Sequence, residues 1–112
     1  MSKVFSNMRK KRCSAVTVNG DEYFIGSMDK GELRRLDALP SDLRTAFVMG
    51  CILRADATGA REVPQEESES DEDWARRVDK LTDDVPTETL RELAEAAANL
   101  GKVPKQADVV KN

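Results

Sequence analysis

Apolar and polar residues alternate on both sides of an Asn19–Gly20 pair near the start of the sequence. Asn-Gly between two β-prone runs predicts a two-residue hairpin turn, because a type I′ turn needs positive φ at both central positions. We therefore predict a β-hairpin over 14–26, whose register places alternate apolar residues on one face. An isolated hairpin is marginal in water, so this face should dock on other elements. Its residues are Val16, Val18, Tyr23 and Ile25.

Four later segments combine helical spacing of apolar residues with helix start and stop signals. Asp29, with Glu32 three residues later, fits a capping box. Ser41 and Ser70 are the expected N-caps of two further helices. The predicted helices cover about 29–39, 41–55, 70–82 and 86–101.

The second predicted helix is apolar nearly all round its axis, which is typical of a helix buried on more than one side. A short apolar run such as 47–53 also fits a buried strand, since periodicity alone does not separate the two. We expect a central helix whose apolar residues belong either to the core or to a seam between subunits. These residues are Phe47, Val48, Met49 and Ile52.

The other three helices carry narrower apolar stripes, which predict one buried face each. In the first, Leu33 and Leu36 share a face, and Met28 before the cap fits a hydrophobic staple with Leu33. The stripe of the third helix consists of Trp74, Val78 and Leu81. The stripe of the fourth consists of Leu90, Leu93, Ala97 and Leu100. The alanines of the fourth helix should let another helix approach closely.

Together these elements predict a small α+β protein, mainly α, with an N-terminal β-hairpin followed by about four helices. The length fits one domain, which we place at 13–104. A basic flexible arm over 1–12 should precede the domain, and a tail or short terminal helix over 105–112 should follow it. Segment 62–70 contains a proline, serines and acids, and it is expected to be a flexible acidic loop.

The composition argues against enzymatic chemistry. The sequence of 112 residues has no histidine, and histidine is the commonest general base and metal ligand. Cys13 and Cys51 are too few and too far apart for a disulfide framework or a zinc site. Cys51 lies in the most apolar segment and is expected to be an inert core thiol. We therefore expect no enzymatic activity, no metal and no other cofactor.

The cellular setting suggested by the sequence is a reducing cytosol. The N-terminal segment lacks the apolar run that a signal peptide carries after its basic residues. No window approaches the ~20 apolar residues that a membrane helix needs. Two scattered cysteines agree with a compartment in which thiols stay reduced.

Charge is distributed unevenly along a chain whose formal net charge is −3. Four consecutive cations near the N-terminus could contact phosphates or an acidic protein surface. The neighbouring hairpin offers Tyr23 and Phe24 but no broader stacking platform for bases. We therefore expect a protein contact in preference to nucleic acid. The cations are Arg9, Lys10, Lys11 and Arg12.

The order of these features resembles that of the tail assembly chaperones of long-tailed bacteriophages and prophages, over about residues 14–112. The resemblance rests on the ordered set of segments, since each piece alone is common. The set comprises 16–23 (VTVNGDEY), 28–33 (MDKGEL), 53–59 (LRADATG), an acidic stretch with Trp74, 85–90 (VPTETL) and a closing Lys111-Asn112.

This resemblance implies a non-catalytic homo-oligomer that acts in the host cell cytoplasm and is not expected in the mature virion. Its implied partners are the tape measure protein and, as a second candidate, the major tail tube protein. For client or self contact we expect Leu90, Leu93, Ala97 and Leu100, on periodicity. Two alternatives stay open: a small nucleic-acid-binding regulator using the basic arm, and a structural head–tail component.

Overall fold

A computed structural model of the chain describes residues 13–100, which form a small α+β fold. A three-stranded sheet is packed against a layer of helices. The elements in chain order are β1 (Cys13–Val18), β2 (Asp21–Gly26), α1 (Lys30–Asp37), α2 (Ser41–Ile52), β3 (Leu53–Arg54), α3 (Asp71–Leu81) and α4 (Thr87–Leu100).

The predicted hairpin is confirmed in position and register. Val16 faces Tyr23 across the two strands. Asn19 and Gly20 have φ of 53° and 87°, as a type I′ turn requires. The Asn19 amide Nδ2 donates to the Thr89 hydroxyl at 3.2 Å, which ties the turn to the first turn of α4. The apolar face of the hairpin therefore lies over α4, which contacts both β1 and β2.

The predicted extent of the second helix is wrong at its C-terminal end, because the chain becomes a strand after Ile52. Leu53 has φ −74° and ψ 129°, and it pairs with Ile25 as the start of β3. The strand order is β1-β2-β3. The outer edge of β2 would otherwise lack a hydrogen-bonding partner, so sheet pairing outweighs continuation of the helix. The chain turns at 56–59, where the Gly59 N–H donates to the Asp56 carbonyl at 3.1 Å and Gly59 has φ 89°.

Helix α2 is the central element, as its all-round apolar pattern predicts. Three of the four residues expected in the core or a subunit seam are fully buried in the core: Phe47, Met49 and Ile52. Phe47 packs edge-on against Trp74 of α3, with ring centroids 5.4 Å apart at 88°. Val48 is half-buried and packs against the edge of the core. A contact between subunits through these three side chains would require the core to unfold locally, because they are not accessible in the folded chain.

Two of the predicted caps are confirmed and one is wrong. Asp29 and Glu32 form both hydrogen bonds of the capping box, and Ser70 accepts from the Asp73 backbone N–H. Ser41 is not a cap. It is the first residue of α2, and Pro40 stands at the N-cap without a side-chain hydrogen bond. Proline at this point fixes the entry of the chain through its φ of −58°.

The acidic segment 62–70 has no helix or strand, but many of its groups have specific partners. The Trp74 indole Nε1 donates to the Val63 carbonyl at 2.9 Å. The Gln65 amide donates to the Glu69 carbonyl, and the Arg77 guanidinium pairs with the Glu69 carboxylate at 2.7 Å. The flexible loop expected from composition is thus a segment held against α3 by side-chain hydrogen bonds.

The basic arm over 1–12 and the tail over 105–112 lie outside the described residues. No helix within 13–100 is long and apolar enough to cross a bilayer.

Candidate protein-binding groove

The apolar stripe of α4, expected to contact a client or another copy, divides between core and surface. Leu93 and Ala97 are only 2% and 5% exposed, because they pack inside the core. In the folded chain these two side chains therefore offer little surface to a partner, although Ala97 borders the groove described below. Leu90 and Leu100 are half-buried, and Leu90 packs against the edge of the core. The centre of the stripe therefore packs α4 against the core, and the partly exposed residues at its edge, Leu90 and Leu100, remain accessible to other contacts.

A shallow apolar groove runs along the junction of α2 and α4, and we call it the α2/α4 groove. It consists of two depressions of about 320 and 330 Å³ that share Val48 and Ala94. The first is lined by Ser27, Met28, Leu33, Val48, Ile52, Ala94, Ala97 and Ala98. The second is lined by Thr45, Val48, Met49, Thr87, Leu90, Arg91 and Ala94.

The groove is concave because α4 presents small side chains where α2 presents larger ones. Ala94 and Ala98 leave space beside Val48. Among the lining residues Arg91 alone is charged, at the end nearer the start of α4. The walls are therefore apolar, with polar positions confined to the ends, which is the chemistry of a surface for another apolar side chain.

The groove extends onto α1 through Leu33, a contribution that the sequence analysis missed. Leu33 is 49% exposed, although its spacing with Leu36 predicts a shared buried face. Leu36 does pack against the core, whereas Leu33 lines the groove beside Met28. The hydrophobic staple predicted for Met28 and Leu33 indicates that the two residues lie close together. It does not indicate that they face outwards.

Helix α1 is held in place by a buried carboxylate at the residue before Leu33. Glu32 is 2% exposed, accepts the Asp29 backbone N–H at 2.9 Å, and is paired with Arg61 from the turn after β3. The Arg61 guanidinium also lies 5.1 Å from the centre of the Trp74 ring. A buried carboxylate is stable only when it is paired and hydrogen-bonded, so these contacts hold α1 in one position.

A second ionic contact joins α1 to α3. Arg35 forms a bidentate pair with Asp71, with its shortest contact at 2.7 Å, and Gln65 donates to the same carboxylate. The hydrogen bonds from Arg35, followed by that from Gln65, hold the pKa of Asp71 below its usual value. Arg77 lowers the pKa of Glu69 in the same way. These pairs position the helices that support the groove.

The two cysteines and the four N-terminal cations are the remaining residues that the sequence singled out. Cys51 is fully buried, as expected for a core thiol, and Cys13 is half-buried. No cluster of three or more potential metal-ligating side chains occurs within residues 13–100. The cations Arg9, Lys10, Lys11 and Arg12 lie outside the described residues, so the structure does not place them near the groove.

Comparison with protein families, curated proteins and solved structures found no match to this chain. The groove and the order of features in the sequence are therefore the two observations that bear on function.

Proposed function

We propose that this chain is a bacteriophage tail assembly chaperone that binds the tape measure protein in the host cytoplasm before the tail forms. In this role it performs no chemistry and leaves before the virion matures. The observation that carries the proposal is the α2/α4 groove, an apolar concave surface formed by α1, α2 and α4. The order of sequence features supports the same family.

The groove suits a single amphipathic helix. Its lining spans α4 from Thr87 to Ala98, which corresponds to roughly 16 Å at 1.5 Å per residue. That length accommodates about three turns of a client helix. Such a helix would place residues at i, i+3 or i+4 and i+7 into the two depressions on either side of Val48 and Ala94. A tape measure protein is long and helical, so it offers many stripes of this kind.

The groove also suits reversible binding. Its depressions are shallow, and each has room for one or two large apolar side chains of a client. Burying a leucine contributes about 1.5–3 kcal/mol, and association has its own entropic cost. We therefore expect roughly micromolar affinity per site, which allows the polymerising tail tube to displace the chaperone.

The proposal is tested by binding to the tape measure protein encoded in the same phage or prophage genome. Overlapping helical fragments of that protein are titrated into the full chain by isothermal titration calorimetry. Leu33→Asp places a charge in the groove, whereas Leu81→Asp places the same charge on a leucine of α3 that is 59% exposed and does not line the groove. Both leucines are exposed, so neither change should unfold the protein.

The expected result is binding by at least one fragment, weakened tenfold or more by Leu33→Asp and less than threefold by Leu81→Asp. Equal loss in both variants would show that the groove is not the site. Failure of every fragment to bind the unmodified chain would overturn the chaperone proposal itself. A specific complex with DNA at physiological salt, or retention in purified virions, would also contradict it.

A further inference from the structure

Arg91 brings a charge to the lining of the α2/α4 groove without a carboxylate to neutralise it. Its guanidinium forms no ion pair within residues 13–100, whereas those of Arg35 and Arg77 are each paired with an acid. Glu88 and Glu95 lie within about one turn of Arg91 along α4, but they line neither depression. The positive charge is therefore available to a molecule bound in the groove.

The position of Arg91 makes the groove sensitive to the charge of its occupant. The residue is exposed and lines the second depression. Long cationic side chains cover apolar surface with their stems and keep the charged end in water. A helix seated beside Arg91 would displace part of that water, which is costly unless the guanidinium gains a hydrogen-bonded carboxylate.

Helices α2 and α4 run in the same direction along the groove. The second depression brings Thr45, near the start of α2, together with Thr87, the first residue of α4. The first depression brings Ile52, the last residue of α2, together with Ala98, near the end of α4. The N-termini of both helices, which are the positive ends of their dipoles, therefore lie at the same end of the groove as Arg91.

The other end of the groove has a different electrostatic character. The residues that line the first depression are all uncharged. The C-termini of α2 and α4 lie on this side, and they are the negative ends of their dipoles. Helix α1 begins nearby, but its N-terminus is capped by the Asp29 carboxylate. The groove is thus apolar along its length and positive at the Arg91 end.

We propose that the groove selects client helices that carry an acidic side chain after their apolar stripe, and that it binds them antiparallel to α2 and α4. The client carboxylate pairs with Arg91, and the negative C-terminal end of the client helix faces the N-termini of α2 and α4. A stripe followed by a lysine or an arginine is rejected by like-charge repulsion. The inference rests on the proposed function, because it specifies the client of the same groove.

The spacing of the groove defines the client pattern. Leu90 in the second depression and Ala97 in the first are one 90-to-97 interval apart on α4, which corresponds to roughly 10 Å. Two client anchors at i and i+7 cover the same distance. The acid then stands at i+10 or i+11, about one turn after the second anchor and on the same face of the client helix.

Charge reversal tests the role of Arg91. The probe is the tape measure fragment that binds the full chain most tightly in the calorimetric titration. Arg91→Glu should weaken its binding by about three- to tenfold at low salt, because attraction becomes repulsion, and the difference should shrink at roughly 0.5 M salt.

Lys80→Glu is the matched control for this variant. It makes the same change of charge at an exposed residue of α3 that lines neither depression, so it should alter the affinity by less than about twofold. Equal weakening by both variants, or unchanged binding to the Arg91→Glu protein, would overturn the inference.

A reciprocal exchange identifies the client group that contacts Arg91. In the same fragment, the acid that follows the second anchor is replaced by lysine. The altered fragment should bind the unmodified chain about three- to tenfold more weakly, and it should bind the Arg91→Glu protein within about twofold of the original affinity. Affinity that is not restored, or a tightest-binding fragment without an acid at that position, would contradict selection by charge.

The direction of the client is measured by nuclear magnetic resonance. A nitroxide at the C-terminal end of the bound fragment should broaden the amide signals of Thr87 and Arg91 more than those of Met28 and Leu33, which lie at opposite ends of the groove. A nitroxide at the N-terminal end should do the reverse. The opposite pattern, or equal broadening at both ends, would show that the client does not lie antiparallel to α2 and α4.

The charge selection and the chaperone role can fail separately. A fragment whose binding is weakened by Leu33→Asp but not by Arg91→Glu leaves the chaperone proposal in place and rejects the charge selection. Failure of every fragment to bind the unmodified chain rejects both.

Discussion

At the scale of single residues, Gly50 in the middle of α2 is packed closely against α3. A Cβ atom at this position would lie 2.8 Å from Cη2 and Cζ2 of the Trp74 indole and 3.1 Å from Val78. The indole cannot easily move away, because its Nε1 donates to the Val63 carbonyl. The glycine therefore permits α3 to approach α2, on the side of α2 that Trp74 covers.

Gly50→Ala should destabilise the fold by about 1–3 kcal/mol, as is usual for overpacking of a dense core. Gly31→Ala is the control, since Gly31 is exposed in α1 and a Cβ there would meet its nearest atom at an ordinary 3.4 Å. That change should be neutral or stabilising by up to about 1 kcal/mol, through helix propensity. Urea unfolding compares the two. Equal effects would show that the Gly50–Trp74 contact adjusts without strain.

At the scale of elements, the sequence was most informative where the signal is local. The Asn19–Gly20 turn, the Asp29 capping box and the Ser70 cap were all predicted, because each depends on residues a few positions apart. Strand β3 was not predicted, since its pairing with Ile25 crosses 28 residues of chain. The exposed Leu81 was also missed. Helical spacing places it beside Trp74 and Val78, but it cannot show that the neighbouring elements stop short of it.

The contact between α1 and α3 makes the protein sensitive to acid. Because Arg35 depresses the pKa of Asp71 in the folded state, the contribution of Asp71 to stability is present above its unfolded value, near pH 4. It is lost as the pH falls through the lower, folded pKa. Asp71→Asn should therefore reduce the free energy of unfolding by about 1 kcal/mol at pH 7, since the pair is partly exposed.

Asp73→Asn is the matched control for Asp71→Asn. It removes the same charge from the same first turn of α3, so both variants lose any interaction with the helix dipole. The Asp73 side chain is 70% exposed and lies 3.7 Å from Arg76, so its loss should change stability by at most about 0.5 kcal/mol. Urea titrations at pH 7 and pH 3 should show the Asp71 effect shrinking in acid. A pH-independent difference would contradict the assigned pair.

At the scale of the whole molecule, the groove was only partly predictable. Periodicity identified α2 and α4 as the apolar helices, and Val48 and Leu90 among their residues do line the groove. It could not show that the sheet would cover the centre of the α4 stripe and leave its margin open. Which face of an apolar helix remains exposed depends on where all the other elements pack, and this is a property of the assembled fold.

This distinction between core and groove predicts opposite effects for two alanines of α4. Ala94 is half-buried on the groove, where a larger side chain can extend into the space beside Val48. Ala94→Leu should therefore change stability by less than about 0.5 kcal/mol. Ala97 borders the groove, but it is only 5% exposed and packs in the core, so Ala97→Leu should overpack the core and destabilise it by about 1–3 kcal/mol. Thermal and urea unfolding measure the stability of both variants.

The stable Ala94→Leu protein should also bind the tape measure fragments at least tenfold more weakly, because its own side chain occupies the client's position. Undiminished binding would mean that the helix contacts another surface, even if the stability difference is as expected.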